Sequence, residues 1–466
     1  MPVRWCRQGA FVNFFLLTTI VSCAPSLPPE QAPLLAEFDG AYPAASARAD
    51  ATRDFDLVAA PATVTLFDGR PLDVWAYNGQ VPGPTLRVRV GERVHVNFTN
   101  RLPVETTIHW HGVRVPNQMD GVAGVTQEPV PPNGSFVYEF VPKDAGTFWF
   151  HPHIRSSEQV ERGLFGVLVV EDREPRPYAR DVVWVVDDWR LAQDGAIDPN
   201  FNTPHDLAHD GRWGNVVTVN GRTAPELVVQ PGERFRLRLV NTANGRVFRL
   251  DWGGLDARII AVDGMYAREP VDPAGFELSP GNRIDLDVRV PASGEGRWVV
   301  MDRFTRTPFP VATIRVAGEP RVTPDFPPPT GARVPAWRET AAIALTKEYA
   351  LDARRGGPFG IEWMIGDEGP HVHHPTATLS EGRFAKLRFT NRTYRLHPMH
   401  VHGMFFKVLS RNGVAVDEPF WRDTALVHAQ ETVDVGMVPL DVGKWMLHCH
   451  VLEHQEAGMM TLVEVR

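Results

Sequence analysis

The chain has 466 residues, of which 43% are hydrophobic and 22% are charged. This length suggests about two to four domains, each with enough apolar surface for a core. The formal net charge of −8 comes from mixed signs without a basic patch or stripe, which argues against nucleic acid as a partner.

The first 23 residues are predicted to be a lipoprotein-type signal peptide. Two arginines precede an apolar run over residues 9–21, which is too short to span a bilayer. The order Ile-Val-Ser-Cys at residues 20–23 resembles a bacterial lipoprotein box, in which Cys23 is lipidated and becomes the first residue. The rival interpretation is cleavage after Ala24. Both place the mature protein outside the cytoplasm, in the cell envelope or periplasm, and the lipid-anchored form is preferred.

A ten-residue template recurs three times along the chain. It consists of a glycine turn, an alternating strand and a terminal asparagine, at residues 91–100, 232–241 and 382–391. This spacing is that of whole domains rather than of short solenoid repeats. Period-two alternation between frequent Gly and Pro residues predicts an all-β chain. We therefore predict three β-sandwich domains of similar topology, over residues 50–172, 173–318 and 335–466, with a linker at 320–335.

Four pairs of histidines, each separated by one residue, lie in two groups within the first and third predicted domains. Random placement of 17 histidines would give fewer than one such pair, so the four need a common cause. Imidazole is the commonest metal ligand, which predicts a metal centre built by two domains around a metal-free middle one. The pairs are His109/His111, His151/His153, His400/His402 and His448/His450.

Cys449 lies inside the last of these pairs and is the only cysteine outside the signal region. A disulfide within the mature chain is therefore excluded. In an extended strand alternate side chains face opposite sides, so His448 and His450 point one way and the thiol of Cys449 points the other. One tripeptide can then connect two metal sites through covalent bonds.

The thiolate side of that tripeptide has further ligand candidates nearby. His397, His454 and Met459 supply two nitrogens and a thioether to Cys449, which is the ligand set of blue-copper electron-transfer sites. Zinc is the rival ion, but it rarely uses a thioether. The eight paired histidines are too many for one ion and suit a cluster of three, which can deliver several electrons to dioxygen together.

Together these motifs resemble the copper-binding motifs of the three-domain multicopper oxidases, the group of laccases and bacterial copper-efflux oxidases. The resemblance extends from roughly residue 50 to the C-terminus. It implies three cupredoxin-like Greek-key β-sandwich domains and four copper ions per chain, namely one type 1, one type 2 and a binuclear type 3 pair. The matching motifs are His109-Trp-His-Gly112, His151-Pro-His153, His397-Pro-Met-His-Val-His-Gly403 and His448-Cys-His-Val-Leu-Glu-His454 with Met459.

The resemblance also implies a role for each ligand. The type 1 ligands would be His397, Cys449, His454 and the axial Met459, and the type 2 pair would be His109 and His400. One type 3 ion would be bound by His111, His151 and His450, and the other by His153, His402 and His448. All ten histidine positions and both sulfur positions are filled, which argues against a decayed, copper-free relative.

Proton supply is the weaker part of the match. Reducing dioxygen to two waters consumes four protons, so a carboxylate beside the cluster is expected as a relay. Asp120 resembles the family's acid beside the type 2 copper; the alternative is a turn residue before a glycine. Bacterial members commonly carry glutamate directly after the second type 1 histidine, whereas this chain has Gln455. Glu453 and Glu456 are the candidate substitutes, although solvent-facing positions are expected for both.

The reductant is the open question, because the family oxidises phenols, aromatic amines and metal ions at the type 1 edge. Cuprous oxidases usually carry a methionine-rich insertion, whereas this chain has 11 methionines and no cluster of them. We therefore predict a laccase-like oxidation of phenols or aromatic amines with O₂ as acceptor, which needs an accessible type 1 histidine edge. Oxidation of Cu(I) or Fe(II) for metal tolerance of the envelope is the alternative, kept open by the acidic residues Asp367, Glu368, Asp417 and Glu418.

A fifth alternating histidine pair occurs in His371-Val-His-His374. A solvated loop is the expected setting, with copper capture or a substrate-side role as the alternative. His95, His205, His209 and His428 are interpreted as surface or core histidines. A copper-containing nitrite reductase and a noncatalytic scaffold are both disfavoured because all four pairs are intact, and a monomer is expected.

Overall fold

The computed structural model describes residues 51–67, 69–293, 296–321, 323–331, 344–366 and 371–466, without the side chains of residues 371–373. The predicted signal segment with Cys23 lies outside the described residues. So do Asp367, Glu368 and the side chains of His371 and His373, while His374 is exposed. Among the helices in the described part of the chain, none is both long and apolar enough to cross a membrane.

Residues 52–171 form two four-stranded sheets that enclose one apolar core. The strands are β1 (Thr52–Leu66), β2 (Arg70–Tyr77), β3 (Leu86–Arg89), β4 (Arg93–Asn100), β5 (His109–His111), β6 (Ser135–Phe140), β7 (Gly146–His151) and β8 (Gly166–Glu171). One sheet has the order β2-β1-β4-β6 and the other β3-β8-β7-β5. A 3₁₀ turn (Asn117–Met119) and helix α1 (Ser156–Glu161) lie in the connections.

Residues 181–316 repeat this arrangement with a six-stranded and a four-stranded sheet. The strands are β9 (Asp181–Trp189), β10 (Val216–Val219), β11 (Glu226–Val229), β12 (Arg234–Asn241), β13 (Leu250–Asp251), β14 (Asp256–Val262), β15 (Met265–Val271), β16 (Arg283–Arg289), β17 (Arg297–Asp302) and β18 (Phe309–Val316). The sheet orders are β10-β9-β12-β16-β14-β15 and β11-β18-β17-β13. Helix α2 (Pro204–Ala208) follows β9.

Residues 347–465 form the third pair of sheets, with six and five strands. The strands are β19 (Lys347–Arg355), β20 (Ile361–Ile365), β21 (His371–Leu379), β22 (Ala385–Asn391), β23 (His397–Val401), β24 (Lys407–Arg411), β25 (Val414–Ala415), β26 (Thr424–Val427), β27 (Thr432–Met437), β28 (Gly443–Cys449) and β29 (Met460–Val465). The sheet orders are β20-β19-β22-β27-β24-β25 and β21-β29-β28-β23-β26. Helix α3 (Leu452–Glu456) connects the last two strands.

The three sheet pairs share one connectivity. In each, the first strand pairs in parallel with the strand of the repeated template, as β1 with β4, β9 with β12 and β19 with β22. The second sheets also contain one equivalent parallel pair each, namely β3 with β8, β11 with β18 and β21 with β29. The predicted all-β class and the threefold repetition of a β-sandwich are thus confirmed. We refer to the sheet pairs as domains one, two and three.

The asparagine that ends each template has the same structural role in all three domains. Its buried side-chain amide donates to two backbone carbonyls of the loops that follow, and its oxygen accepts from the N–H two residues ahead. The amide acceptors are Val104 and Val130 for Asn100, Arg246 and Leu278 for Asn241, and Arg395 and His428 for Asn391, all at 2.8–2.9 Å. Since a buried amide without partners is costly, each asparagine fixes the path of its loop. In domain three this loop leads directly to His397.

Strand β12 shows how domain two is attached to domain one. Its leucines and phenylalanine enter the core of domain two, whereas its alternating arginines are buried on the opposite face. Arg238 donates to Thr147 of domain one at 2.8 Å, and Thr147 donates to Asp285 at 2.6 Å. The alternating sequence of β12 predicts that its arginine face is exposed to solvent, but this face instead contacts domain one. Each arginine charge is paired with a carboxylate, which limits the cost of burying it.

Candidate metal centres

The eight paired histidines converge between domains one and three. In domain one, β5 pairs antiparallel with β7, which sets His109 opposite His151. In domain three, β23 pairs antiparallel with β28, which sets His400 opposite His448. Residues two apart in a strand share a face, so the second member of each pair extends the same surface. All eight imidazoles are buried in the resulting cluster, which we call the eight-histidine cluster.

Within this cluster the ligand nitrogens form three groups whose members lie within 4.8 Å of one another. The Nε2 atoms of His402 and His448 are 3.0 Å apart, and those of His153 and His448 are 3.4 Å apart. Nitrogens that share an ion at about 2 Å lie about 3 Å from one another. His111 lies in two of these groups, so the predicted assignment, with His109 and His400 on one ion and His111 with His151 and His450 on another, stays a prediction. The groups are His109/His111/His400, His111/His151/His450 and His153/His402/His448.

Backbone carbonyls orient four of these eight rings, among them His448, whose Nδ1 donates to Cys449. Nδ1 of His109 donates to the carbonyl oxygen of Asp120 at 2.7 Å, and Nδ1 of His400 donates to that of Asp423 at 2.8 Å. Nδ1 of His151 donates to Pro152 at 2.9 Å. Such bonds fix the tautomer and leave the lone pair on Nε2. Among the described residues, no hydrogen-bond partner faces Nε2 of His109, His151 or His400.

The chemistry of this donor set fits bound metal. Burial is the largest cause that lowers the pKa of seven of the eight imidazoles, namely His111, His151, His153, His400, His402, His448 and His450. Neutral imidazole is the form that binds metal. Buried nitrogens without hydrogen bonds cost free energy unless another ligand occupies their lone pairs. The inward-facing nitrogens therefore match metal ligands better than they match a packed core.

Asp120 connects two of the imidazoles and is fully buried. Its carboxylate Oδ2 accepts from Nδ1 of His402 at 2.8 Å, while Oδ1 lies 3.3 Å from Nδ1 of His109. The turn that carries it depends on Gly121, whose φ is +80°, because a Cβ there would lie 1.8 Å from the carbonyl oxygen of Ile108. Asp120 is thus a turn residue before a glycine, as the alternative interpretation proposed, and it also contacts the cluster.

A second carboxylate, Asp423, holds the other side of the cluster and was missed in the sequence. Its Oδ1 lies 3.3 Å from Nε2 of His111. Arg283 of domain two binds both carboxylate oxygens, at 2.9 and 2.6 Å. Burial raises the pKa of Asp423, but the charge of Arg283 and the contacts with His400 outweigh it and lower this pKa to about 2. The only sequence signal was an acid directly before the apolar strand β26.

A second centre lies within domain three and joins Cys449 to two histidines. Sγ of Cys449 is 3.6 Å from Nδ1 of His397 and 3.7 Å from Nδ1 of His454, and these two nitrogens are 3.2 Å apart. Met459 is fully buried in the same apolar core as Cys449. Burial raises the pKa of the Cys449 thiol and lowers that of His454 to about 3. A bound metal would reverse the thiol's protonation, since a coordinating thiol loses its proton.

The outer nitrogens of this second centre contact neutral groups. Nε2 of His397 is 2.9 Å from the hydroxyl of Thr393, and Nε2 of His454 donates to the backbone carbonyl of His209 in domain two. The backbone N–H of Val451 donates to Sγ of Cys449 at 3.4 Å. The indole of Trp363 packs on His454 with ring centroids 4.1 Å apart.

The comparisons with known proteins agree with this geometry. Three family models described as multicopper oxidase match residues 59–175, 180–317 and 342–466. The chain is a multicopper oxidase. A crystal structure of a multi-copper oxidase from Pseudomonas thermotolerans is 36% identical, with a TM-score of 0.80 over 89% of this chain and 99% of that one.

Two curated relatives extend the comparison. The oxidase is 29% identical to multicopper oxidase MmcO of Mycobacterium tuberculosis, over 87% of this chain and 85% of the relative. It is also 29% identical to a copper resistance protein A homolog of Pseudomonas syringae pv. tomato, over 88% of this chain and 92% of that protein. The resemblance to a laccase-like multicopper oxidase with cupredoxin-like domains is confirmed, and the histidine clusters fit the copper binding that the family implies.

Two expectations about the surroundings of the oxidase's Cys449 centre were wrong. An accessible imidazole edge was expected, but His397 and His454 are both fully buried. Glu453 was expected to face solvent, but it is also fully buried and accepts from Asn244 at 2.8 Å and from the N–H of Arg212 at 3.0 Å. The cause in both cases is domain two, which covers the side of domain three where helix α3 lies.

Gln455 and Glu456 have different surroundings on the same helix. Gln455 is buried, and its Oε1 has no hydrogen-bond partner among the described residues. Glu456 is partly buried, and burial is the largest cause that raises its pKa. Neither side chain hydrogen-bonds to the eight-histidine cluster, so among the described residues Asp120 and Asp423 are the carboxylates placed against it.

Proposed function

We propose that the oxidase binds four copper ions and couples one-electron oxidation of phenols or aromatic amines to the four-electron reduction of O₂ to water. His397, Cys449, His454 and Met459 would hold the type 1 ion. The eight-histidine cluster would hold the type 2 ion and the type 3 pair. When bound, these ions supply the one-electron acceptor and the site of dioxygen reduction.

A single observation carries this proposal, namely the position of Cys449 between the two centres. Its thiol faces His397 and His454, while the residues on either side of it, His448 and His450, belong to the other cluster. Nδ1 of His448 also donates to the carbonyl oxygen of Cys449 at 2.9 Å, which adds a hydrogen-bonded route to the covalent one. An electron that reaches the thiolate therefore has two short paths to the eight-histidine cluster.

The proton path of the proposed reaction begins at Asp120. Its buried carboxylate accepts a hydrogen bond from His402 and lies 3.3 Å from Nδ1 of His109, so it is placed to pass a proton to the cluster. Asp423 suits a holding role better, because its charge is neutralised by two hydrogen bonds from Arg283. The two carboxylates thus divide proton transfer and ligand orientation between them.

The test is oxygen consumption by copper-loaded protein with a phenol, Cu(I) and Fe(II) measured side by side. The proposal expects about four copper ions per chain, a blue thiolate absorption band, and oxygen uptake with the phenol in a ratio of one O₂ to four electrons. Release of hydrogen peroxide instead of water, or no acceleration with any reductant in a fully loaded sample, would sink it.

Oxidation of metal ions is the second candidate function. The burial of both type 1 imidazoles weakens the case for direct contact with an aromatic ring, and the name of the P. syringae relative points to copper tolerance. Of the acidic residues first considered, Glu418 pairs with Arg422 at 2.7 Å, and Asp417 is exposed and lies 3.8 Å from Lys407. A higher kcat/KM for Cu(I) or Fe(II) than for phenols would favour this function.

We also propose that the mature oxidase is attached to the cell envelope through a lipid on Cys23. The support is the lipoprotein-box order at residues 20–23. Cys23→Ala should release the protein from the membrane fraction. Retention of this variant on membranes, or a mature chain that starts at Pro25, would contradict the lipid anchor.

A further inference from the structure

Domain two contacts the eight-histidine cluster through a tight turn that directly precedes β16. The turn is Ser279-Pro-Gly-Asn282, and the N–H of Asn282 donates to the carbonyl oxygen of Ser279 at 3.0 Å. A proline at its second position and a glycine with a φ of +86° at its third are the features of a type II turn. The local sequence thus accounts for the shape of this 279–282 turn, whereas its position depends on how domain two docks.

Gly281 of the 279–282 turn lies directly against two imidazoles of the cluster. A Cβ built on it would be 2.9 Å from Cδ2 of His450 and 3.0 Å from Cε1 of His111, whereas ordinary van der Waals contact begins at 3.4 Å. His111 and His450 belong to one candidate ligand group, together with His151. Only a residue without a side chain therefore fits between the turn and these two candidate ligands.

Hydrogen bonds within domain two hold the backbone of the turn in place. The N–H of Gly281 donates to the carbonyl oxygen of Asn241 at 3.1 Å, and the carbonyl oxygen of Gly281 accepts from Nη1 of Arg283 at 2.9 Å. Asn241 ends the second template, and Arg283 is the residue that binds Asp423. Both peptide groups of Gly281 are therefore fixed by buried partners.

The turn is also attached to domain three at the start of β26. The side-chain amide of Asn282 donates to the carbonyl oxygen of Thr424 at 3.0 Å and to the carboxylate of Asp263 at 3.0 and 3.1 Å. Asp263 in turn accepts from the backbone N–H groups of Asp423 and Thr424, each at 3.2 Å. All four residues are buried, so a lost bond would leave a polar group unpaired. Added volume at Gly281 would consequently displace the imidazoles rather than the turn.

We propose that Gly281 is a positioning residue that sets the places of His111 and His450 and thereby determines the binding of one type 3 copper ion. This inference rests on the proposed four-copper function, and it gives domain two, which supplies none of the eight histidines, a part in the dioxygen site. An imidazole is rigid, so a displaced ring carbon moves both ring nitrogens. A methyl group on Gly281 would displace the rings by about half an ångström, whereas metal–ligand distances tolerate only about 0.2 Å.

Gly281→Ala adds this methyl group, and Gly275→Ala is its matched control. Gly275 also occupies the third position of a turn in domain two, in which the N–H of Phe276 donates to the carbonyl oxygen of Pro273 at 3.1 Å. Its φ is +80°, and nothing lies within 4 Å of its Cβ position. Both variants carry the strain of alanine at a positive φ, but only Gly281→Ala adds a contact with the cluster.

The first measurement is the copper content of loaded protein during titration with a chelator. Gly281→Ala should hold about one copper ion fewer per chain than Gly275→Ala, because the affinity of the displaced ion should fall about 10–100-fold. Equal blue absorption bands in the two variants would show that the Cys449 centre, and with it domain three, is intact. Equal copper content and chelator resistance in the two variants would overturn the inference.

Electron paramagnetic resonance identifies which ion is lost. Two coupled Cu(II) ions in a type 3 pair cancel each other's unpaired spins, so the loss of one makes the other visible. Gly281→Ala should gain this signal relative to Gly275→Ala and keep the type 2 signal. Loss of the type 2 signal instead would contradict the inference, since it would place the effect on His109 and His400. Absence of a coupled pair in the wild type would contradict the four-copper function itself.

If Gly281→Ala does not fold, Asn282→Ala tests the same turn without added volume. It removes the bonds that hold the turn to Thr424 and Asp263, so affinity for the same copper ion should fall about tenfold. Asn215→Ala is the control, because it removes an exposed asparagine of domain two that bonds only the backbone of Leu191. Equal copper affinities in these two variants would refute a positioning role for the 279–282 turn.

Discussion

The two metal centres of this oxidase differ in the groups that hold their imidazoles. Around the eight-histidine cluster, the carboxylates of Asp120 and Asp423 bind ring nitrogens of His402 and His111. Around the Cys449 centre, by contrast, the outer nitrogens meet a threonine hydroxyl and a backbone carbonyl, and an indole packs against one ring. Both centres are buried, so the difference lies in charge rather than in solvent access.

This difference matches the separate tasks that we propose for the two centres. Reduction of dioxygen needs protons as well as electrons, and buried carboxylates can hold protons and fix ligand tautomers at once. A centre that only passes electrons has no use for a titrating neighbour. In blue-copper sites, hydrophobic surroundings and hydrogen bonds to the sulfur tune the redox potential. The following substitutions test this division, beginning with the largest expected effect.

Cys449→Ser should abolish the Cys449 centre and leave the eight-histidine cluster intact. Serine supplies no thiolate, so the blue absorption band and turnover should both disappear. The eight-histidine cluster keeps all its imidazoles, and copper content should fall by about one ion per chain rather than to zero. Visible absorption and metal analysis check this, and blue colour that survives in the variant would refute the type 1 assignment.

Asp120→Asn should slow dioxygen reduction while it leaves the Cys449 centre unchanged. The amide oxygen can still accept from His402, but the side chain can no longer carry a proton. Loss of a positioned acid or base typically costs about 10²–10⁴-fold in rate, so kcat should fall at least about 100-fold with an unchanged blue band.

Reoxidation of fully reduced protein by O₂, followed by stopped flow, isolates this step. Asp144→Asn is a matched control, because Asp144 is a buried carboxylate of domain one that pairs with Arg114 and not with the cluster. A normal reoxidation rate in Asp120→Asn would show that Asp120 only orients His402.

The three β-sandwiches and the ten candidate histidine ligands could be predicted from the sequence because each depends on a short local pattern. Two histidines with one residue between them on a strand face the same side, so their spacing alone predicts that they lie together. The template that ends at Asn391 is likewise a single continuous segment that can be recognised by its own sequence. Asp423 and Arg283 are different. Their contact joins domain three to domain two across 140 residues of sequence, and the position of Asp423 directly before strand β26 does not by itself indicate a metal centre.

The covering of the Cys449 centre by domain two could not be predicted from the sequence for the same reason. His209 and Leu207 belong to a short helix in domain two, and their contacts with His454 and Trp363 depend on how the domains dock. Glu453 was misplaced because a charged residue on a short helix is usually solvated. Burial here depends on its partners Asn244 and Arg212, both from domain two.

Arg283→Lys tests whether domain two contributes to the eight-histidine cluster at all. Lysine keeps the positive charge but cannot bind both oxygens of Asp423 in a planar fork. The contacts of Asp423 with His111 and His400 should loosen, and copper affinity at the predicted type 2 position should fall about tenfold, within the range seen when supporting contacts of metal ligands are lost.

The readout is the electron paramagnetic resonance signal of type 2 copper during titration with a chelator, because that signal reports the ligand geometry directly. Arg289→Lys, at the exposed end of the same strand, is the matched control. If Arg283→Lys only lowers the thermal midpoint and leaves the type 2 signal and affinity as in the wild type, Arg283 has a structural role alone.

The smallest expected effect concerns the charged contact that docks domain two on domain three near the Cys449 centre. Nε2 of His428 is 2.7 Å from Glu277 of domain two, and Nδ1 is 3.2 Å from Glu431. Hydrogen bonds to Glu277 and then to Glu431 raise the pKa of His428 to about 9. This contribution to stability is complete below the unfolded pKa of about 6.5, and it disappears as pH rises through about 9.

His428→Gln should therefore destabilise the oxidase at pH 6 and have little effect at pH 10. The His428 side chain is 43% exposed, so solvent screening limits the loss to below about 1 kcal/mol. For a protein of this size, that loss lowers the thermal unfolding midpoint by about 1–2 °C. Equal shifts at both pH values would mean that the ring stabilises the contact by packing. A shift confined to pH 6 would assign it to the charge, in contrast to the neutral contacts around His397 and His454.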